Sequence, residues 1–283
     1  ARLDYDAPQD VMVGGFARLI GASVPGRAAP GDLVWVRLCW QTLETPGESY
    51  WLFAHVVGAA QDKLAGIDSV PGKGNYPTID WQAGKSHCTD WPIEIPADAL
   101  PGRYTVQAGL YERETLHRLE AVNPDGAHFD PPAVGTIIID AQPDSLPSGV
   151  EAVDVDFGGL IRLRGAHVES SAPQPGDAVQ VTLYWEALAP PGQSYTVFVH
   201  LTPRGESGPP LAQADDLPRD GLYPTDLWPV GGLVPDRHTL SLPPNLAPGA
   251  YEIRVGLYDL ATGQRLPGPE PDGAFVLPLD TGR

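Results

Sequence analysis

The sequence predicts an all-β protein made of two tandem antiparallel β-sandwich domains. A long stretch of the chain is repeated once, and short apolar runs separated by Pro-Gly turns recur in both copies. No segment combines helix-capping residues with an apolar period of 3.6 residues. The 32 glycines and 32 prolines are spread between the apolar runs, which is typical of turn-rich β structure.

The repeat is clearest around a Tyr-Pro-Thr-x-x-Trp motif, which runs from Tyr76 to Trp81 and again from Tyr223 to Trp228. The offset between the copies is constant, because 223 − 76 and 228 − 81 both equal 147. A repeat of this length is one domain used twice. We therefore predict a first domain over residues 1–146 and a second over residues 147–283, with a linker near residues 141–148.

Two runs in each copy have the apolar pattern of strands. Residues 34–40 and 179–185 alternate strictly, with Val, Val, Leu and Trp on one face, which indicates a half-buried strand. Residues 50–56 and 195–201 are apolar on both faces, which indicates a central strand covered on both sides. The long Pro- and Gly-containing segment that follows, residues 68–84 in the first copy, is expected to cover the outer face of that strand.

A Pro-Gly-x-Tyr step precedes a late strand in each copy and ends at Tyr104 or Tyr251. It resembles the tyrosine corner of immunoglobulin and fibronectin type III domains, where a tyrosine hydroxyl bonds back to the preceding corner. The resemblance implies two immunoglobulin-like or fibronectin-III-like antiparallel β-sandwiches. It also implies that both hydroxyls bond to the backbone before Pro101 and Pro248.

A wider resemblance covers nearly all of the second copy. The residues that carry it are Leu183-Tyr184-Trp185, Tyr195 to Leu201, Ala212 to Asp215, Tyr223-Pro224-Thr225, Trp228, Pro248 to Tyr251 and Gly256 to Asp259. This pattern is similar to the β-sandwich module that follows the membrane-spanning part of many glycosyltransferases of the mannosyltransferase type in filamentous green non-sulfur bacteria. The first copy fits more loosely, since Cys39 and Thr89 stand where the second copy has Tyr184 and Asp236. The resemblance implies a location outside the membrane and a glycan-related role.

Charge and composition exclude several kinds of partner. Residues 1–146 carry 19 acidic and 10 basic side chains, and residues 147–283 carry 17 and 8, so each part contributes −9 to the net charge of −18. Such a surface repels nucleic acid and anionic lipid, so neither is a predicted partner. No apolar run approaches the roughly 20 residues that span a bilayer. No metal or cofactor motif is present, and we predict no cofactor.

Cys39 and Cys88 are the two cysteines of the chain, and Tyr184 and Pro235 replace them in the second copy. They are candidates for a disulfide, which would suit an extracellular protein, but spacing alone does not establish the required Cα separation. A zinc site with His87 is the weaker alternative, since adjacent His and Cys are poorly spaced as ligands.

No catalytic constellation stands out. A glycosidase needs two carboxylates at each site, whereas each copy offers one shared acid, Asp68 or Asp215. His55 and His200 recur at one strand position, as packed hydrogen-bonded side chains or as ligand contacts. We predict that the protein is not an enzyme.

Aromatic side chains are the candidate ligand-binding residues, because their faces suit the C–H patches of pyranose rings. Four of them occur at matching positions of the two copies, namely Tyr76, Trp81, Tyr223 and Trp228. Their role is either structural or stacking on a sugar ring. Three belong to the first copy alone, namely Trp35, Trp51 and Trp91. The second copy has other residues at these three positions, so the fold does not need tryptophan there, and the three are the better functional candidates. The alternative is that they line a contact between the domains.

These observations predict a non-catalytic protein, extracellular or at the cell surface, that binds glycan or another cell-surface polymer. The alternative is a structural subunit of an extracellular filament or surface layer, in which exposed aromatic residues and strand edges mediate self-association.

Overall fold

The computed structural model describes residues 3–129, 131–169, 173–206 and 208–281, and the chain is all-β in these ranges. The helical segments found there are two 3-10 helices of three residues, Thr78–Asp80 and Thr225–Leu227. No helix among the described residues is long and apolar enough to cross a membrane. The chain divides into two compact units, Ala1–Ile139 and Asp140–Arg283, which we call the first and second units.

The boundary between the units, after Ile139, lies earlier in the sequence than the predicted boundary after residue 146. Two hydrogen bonds tie the intervening residues to the second unit. The Ala141 amide donates to the Tyr223 hydroxyl at 3.2 Å, and the Leu233 amide donates to the Gln142 carbonyl at 2.7 Å. Residues 141–146 therefore belong structurally to the second unit.

The first unit has two sheets. Its strands are β1 (Ala7–Val13), β2 (Ala17–Ser23), β3 (Arg27–Ala28), β4 (Leu33–Thr42), β5 (Trp51–Val57), β6 (Lys63–Ser69), β7 (Ser86–Glu94), β8 (Gly102–Tyr111), β9 (Ala121–Val122), β10 (His128–Phe129) and β11 (Ala133–Ile139). One sheet has the order β10-β9-β1-β2-β4-β7 and the other the order β3-β11-β8-β5-β6. All pairs are antiparallel except β3 with β11.

The second unit repeats this plan with fewer strands. They are β12 (Glu151–Phe157), β13 (Ile161–Val168), β14 (Ala178–Ala187), β15 (Thr196–Pro203), β16 (Ala212–Gln213), β17 (Leu233–Ser241), β18 (Ala250–Tyr258) and β19 (Phe275–Asp280). The sheet orders are β12-β13-β14-β17 and β16-β15-β18-β19.

Alternation along β4 and β5 determines which side chains form the core of the first unit. Val36, Leu38 and Trp40 of β4 are buried in one cluster with Leu52 and Val56 of β5. Burial of this apolar area from both sheets is the main favourable term in folding the unit. The predicted apolar face of residues 34–40 is confirmed, and residues 35, 37 and 39 lie on the opposite face of the same strand.

The Tyr-Pro-Thr-x-x-Trp motif fastens the long segment after β6. The Thr78 hydroxyl accepts the Tyr50 amide at 2.8 Å and donates to the Glu48 carbonyl at 3.1 Å, while the Trp81 indole N–H donates to the Tyr76 carbonyl. The second unit makes the same three bonds with Thr225 and Trp228. The repeated threonine therefore ties the segment to the backbone just before β5 or β15, and the repeated tryptophan bonds the backbone of its own motif, so that these polar groups have partners.

The expectation that residues 68–84 cover the outer face of β5 is wrong. Trp81 is fully buried in the core cluster, with its ring 6.1 Å from that of Trp40, so the segment closes over the core. The outer face of β5 is covered from the chain after β8, where the Arg118 guanidinium lies 4.8 Å from the Phe53 ring.

A Gly-Leu-Tyr motif begins at Gly109 in β8 and at Gly256 in β18, and its glycine leaves space for an aromatic ring of the neighbouring strand. A Cβ on Gly109 would lie 2.8 Å from the Phe53 ring, and one on Gly256 would lie 2.6 Å from the Phe198 ring. Contacts this short are not tolerated, so glycine at these positions lets the aromatic ring lie directly on the neighbouring strand.

The tyrosine corner is confirmed in both units. The Tyr104 hydroxyl donates to the Leu100 carbonyl at 2.9 Å, and the Tyr251 hydroxyl donates to the Ala247 carbonyl at 2.6 Å. Both carbonyls belong to the residue that directly precedes the corner proline. Tyr251 is buried, whereas Tyr104 is half-buried.

Candidate functional site

Trp35 projects from the outer face of β4 and is 49% exposed. It lines a groove of about 320 Å³ on the first unit, which we call the Trp35 groove. The residues that line this groove are Asp4, Asp6, Ser23, Trp35, Arg37 and Asp90. The groove thus combines one exposed aromatic ring with several polar and charged side chains in a concave surface.

One wall of the groove is the N-terminal strap, residues 3–6, which crosses the outer face of β2 and β4. The Asp6 amide donates to the Ser23 hydroxyl at 3.0 Å, and Arg37 Nη1 donates to the Asp4 carbonyl at 3.2 Å. The Tyr5 ring rests against Gly21, where a Cβ would collide with it. Glycine at position 21 therefore allows the strap to lie on the sheet.

Arg37 and Asp90 form the fixed polar floor of the groove. They face each other across β4 and β7, with Nε 2.7 Å from Oδ1 and Nη2 3.1 Å from Oδ2. This hydrogen bond lowers the pKa of Asp90 below its ordinary range and raises the pKa of Arg37. A bidentate pair of this kind holds both side chains in one defined orientation.

Lys73 stands over the indole of Trp35, with Nζ 5.0 Å from the ring centroid. It belongs to the loop between β6 and the 3-10 helix, where it adopts a positive φ of 57°. A cation at this distance is attracted to the face of the ring. The second copy has Asp220 at this position and Gln180 at that of Trp35, so this arrangement is specific to the first unit.

Trp51 does not share a surface with Trp35. It lies on β5, in the other sheet of the unit, where it is half-buried and the Arg113 guanidinium covers its ring at 4.8 Å. The two half-exposed tryptophans of the first unit therefore lie in different sheets and do not form one surface group.

Four of the aromatic candidates are buried in the core and have no free face for a sugar. They are Trp91, Trp81, Tyr223 and Trp228. Trp91 points inward because Trp91 and Ile93 alternate on the core face of β7, and Ile95, just after the strand, is buried in the same cluster. The sequence itself shows this alternation. Tyr76 is half-buried, with its ring 6.4 Å from that of Trp81. The four buried residues are therefore corrected from candidate ligand contacts to parts of the fold, whereas Tyr76 stays a candidate.

Cys39 and Cys88 form a disulfide. They face each other across β4 and β7, directly beside the Arg37–Asp90 pair in the same register. The bond therefore fastens β7, the edge strand of its sheet, to β4 next to the groove. Among the described residues, no group of three or more His, Cys, Asp and Glu side chains is positioned to hold a metal ion.

The repeated histidines pair with the repeated aspartates. His55 Nε2 lies 2.9 Å from Asp68 Oδ2, and His200 Nε2 lies 2.9 Å from Asp215 Oδ1. Burial lowers the pKa of His55, and Lys63 bonds the same carboxylate at 2.9 Å. Because both units keep the pair on the outer face of β5 or β15, it belongs to the shared scaffold.

Sequence reasoning missed the polar partners of Trp35. Arg37 could have been identified, since it is two residues from Trp35 on the same face of an alternating strand. Asp90 and Lys73 could not, because the register of β7 and the path of the loop depend on tertiary packing. Neither a protein-family model nor a curated protein matches the chain, so the chemistry of the Trp35 groove is the basis for assigning a function.

Proposed function

We propose that the chain is a non-catalytic, extracellular or cell-surface protein that binds glycan in the Trp35 groove. The observation that supports this function is the half-exposed indole of Trp35 beside the fixed Arg37–Asp90 pair. The ring offers an apolar face for the C–H side of a pyranose, and the guanidinium and carboxylate offer planar edges that hydrogen bond to hydroxyl groups. In this proposal the two units are immunoglobulin-like or fibronectin-III-like sandwiches in tandem.

The charge of the groove favours a neutral glycan. Asp4, Asp6 and Asp90 line the groove with three carboxylates and Arg37 lines it with one cation. Lys73, which stands over the Trp35 ring beside the groove, adds a second cation. Added to the net charge of −18, this balance disfavours polyanionic polymers. The disulfide supports a location outside the cytoplasm, where such bonds persist.

Replacing Trp35 tests this function. Trp35→Ala removes the stacking face, which is worth about 1 kcal/mol beyond area burial, so affinity should fall roughly five-fold or more while the fold is retained. We would titrate soluble neutral polysaccharides (a mannan, a glucan and a galactan) into the full chain and follow binding by calorimetry.

Trp51→Ala is the matched control, because it removes a half-buried indole from the other sheet of the same unit. Affinity should be unchanged in this variant. Equal losses in the two variants, or no saturable binding of any of these polymers by the unaltered chain, would argue against a glycan site in the Trp35 groove.

A structural subunit is the second candidate function, and Leu33 favours it. Leu33 is 56% exposed and precedes Trp35 by two residues on the same face of β4, so together they form an apolar patch. A second copy of the chain could bury this patch. Light scattering distinguishes the two functions. If the unaltered chain is oligomeric and Trp35→Ala is monomeric, the chain is a structural subunit. If the unaltered chain is a monomer that binds polysaccharide, it is a glycan-binding protein.

A further inference from the structure

The second unit carries a groove of about 650 Å³ on the outer face of the β16-β15-β18-β19 sheet. Glu252 and Arg254 of β18 form its floor, together with side chains of β15. Arg265, Glu270 and Asp272, from the chain between β18 and β19, form one wall. We call it the Arg254 groove. Its volume is within the range of small-ligand sites.

The charged groups in the Arg254 groove hold one another in place. Asp272 accepts from Arg254 Nη2 at 2.8 Å through Oδ1 and from Arg265 Nη1 at 3.1 Å through Oδ2. Glu252 lies 3.5 Å from Arg254 Nη1, and Arg265 is stacked on the Phe198 ring at 4.1 Å. The Arg254 and Glu252 side chains are only 20% and 17% exposed. A network this restrained presents its polar edges to a ligand without further ordering.

The balance of charge in the groove is negative. Four carboxylates line it, those of Glu206, Glu252, Glu270 and Asp272, against the two guanidinium groups of Arg254 and Arg265. Asp272 is shared by both arginines, whereas Glu270 lies on the exposed wall. The groove therefore combines fixed hydrogen-bonding edges with an excess of two negative charges (4 − 2).

The fold does not require these charges. At the offset of 147, Thr105 and Gln107 occupy the positions of Glu252 and Arg254 on the equivalent strand of the first unit. Gln107 there donates to Gln61 at 2.7 Å, and β8 pairs with β5 and β11 as β18 pairs with β15 and β19. Charged residues that an equivalent strand folds without are candidates for ligand recognition.

We propose that the Arg254 groove binds an amino sugar, that is, a sugar unit with a free ammonium group. The excess carboxylates would pair with the ammonium, and the fixed guanidinium and carboxylate edges would hydrogen bond to the sugar hydroxyls. This inference rests on the proposed function in taking a glycan as the ligand, and it names a class of sugar unit that the Trp35 groove does not select. An N-acetylated sugar has the same ring and lacks the charge, so it should bind poorly.

The test is a titration of a glucosamine tetramer into the full chain at pH 6 and low salt. The unaltered chain should bind it saturably with one-to-one stoichiometry. The double variant Glu252→Gln/Glu270→Gln should bind at least ten-fold more weakly. Unchanged affinity in the double variant, or no saturable binding by the unaltered chain, would overturn the proposal. Glu270→Gln alone changes only an exposed residue, and it provides the same test if the double variant fails to fold.

Two controls separate this site from general attraction to an acidic protein. Glu44→Gln/Glu48→Gln removes the same charge from exposed positions of the first unit and should leave the affinity unchanged. An equal loss in this variant would mean that net charge alone attracts the tetramer and would reject the groove. The N-acetylated tetramer should bind at least ten-fold more weakly, and equal binding would reject the ammonium as the recognised group.

The two proposals can fail separately. Trp35→Ala should leave tetramer binding unchanged, since Trp35 does not line the Arg254 groove. If the unaltered chain binds the tetramer but no neutral polysaccharide, the Trp35 site is refuted. If it binds a neutral polysaccharide but not the tetramer, the Arg254 groove is refuted.

Discussion

Tyr251 and Tyr104 close the same corner in the two units, yet water reaches them to different extents. The Tyr251 hydroxyl donates to Ala247 at 2.6 Å from a buried side chain, whereas Tyr104 is half-buried. A hydrogen bond donated by a buried hydroxyl matters more than one donated by a hydroxyl that water can reach, because water can replace the second bond. The same bond is therefore expected to contribute more stability in the second unit.

Tyr251→Phe should lower the free energy of unfolding of the second unit by about 1 kcal/mol, because the 2.6 Å bond from the hydroxyl to the Ala247 carbonyl is lost without a cavity being created. Only the longer bond from the Thr281 hydroxyl, at 3.4 Å, then remains on that carbonyl. Denaturant unfolding followed by tryptophan fluorescence measures this change. Tyr104→Phe is the matched variant in the first unit and should cost less. An unchanged midpoint for Tyr251→Phe would show that the corner does not stabilise the fold.

The edge strands β7 and β17 occupy equivalent positions but are fastened by different chemistry. In the first unit the Cys39–Cys88 disulfide joins β7 to β4. In the second unit Asp236 of β17 accepts the Arg219 amide at 2.7 Å and contacts His238 at 2.8 Å. The covalent bond and the buried polar cluster thus stabilise the same region of their respective units.

Reduction of the disulfide should destabilise the first unit alone, by roughly 2–4 kcal/mol, because it frees a loop closed by 49 residues of separation. Thermal unfolding with and without a phosphine reductant should shift one of two transitions. Cys39→Ser/Cys88→Ser should reproduce the shift and make the protein insensitive to the reductant. A shift in both transitions, or in neither, contradicts the assignment.

Two histidines should give the units opposite responses to pH. Burial lowers the pKa of His238, but the hydrogen bond and charge of Asp236 outweigh it and hold the pKa above its ordinary value of 6.5. The stability that His238 contributes is complete below about pH 6.5 and is lost as pH rises through the raised pKa. In the first unit, burial lowers the pKa of His87 to about 4, so its contribution is complete above pH 6.5 and is lost as pH falls towards 4.

Unfolding free energies of each unit between pH 4 and 9 measure these responses. His238→Gln should remove the decline of the second unit above pH 6.5, and His87→Phe should reduce the decline of the first unit below it. His87→Phe keeps an aromatic ring beside Trp81, whose centroid lies 4.4 Å from that of His87. If neither variant changes the pH dependence, these histidines are not its source.

Over the whole molecule, local patterns predicted much of the framework but not the paths of its loops. The alternation of residues 34–40 identified the core face of β4, and the Pro-Gly-x-Tyr step identified the corner, because both depend on nearby residues. The path of residues 68–84 and the contact of Arg118 with Phe53 depend on packing between distant segments. Trp35 was identified as a candidate, but its partners Asp90 and Lys73 come from other parts of the chain.

A fragment of residues 140–283 should be more stable than one of residues 147–283. Ala141 and Gln142 hydrogen bond to Tyr223 and Leu233, and Leu146 rests on Gly165, where a Cβ would lie 2.9 Å from it. The shorter fragment loses these contacts and exposes the apolar surface beneath them. Comparison of their melting temperatures checks this, and equal values would show that residues 140–146 do not stabilise the unit.

In each unit, residues that precede the first strand lie against a sheet, and this matters for how such a unit can be duplicated in a gene. Tyr5 lies on Gly21 and Leu146 lies on Gly165, so each unit is completed by residues that precede its first strand. A gene segment copied from the residue after Ile139 would carry this piece with it, whereas one copied from the first strand would not. A duplication that begins at that point copies the unit together with the residues that complete its sheet.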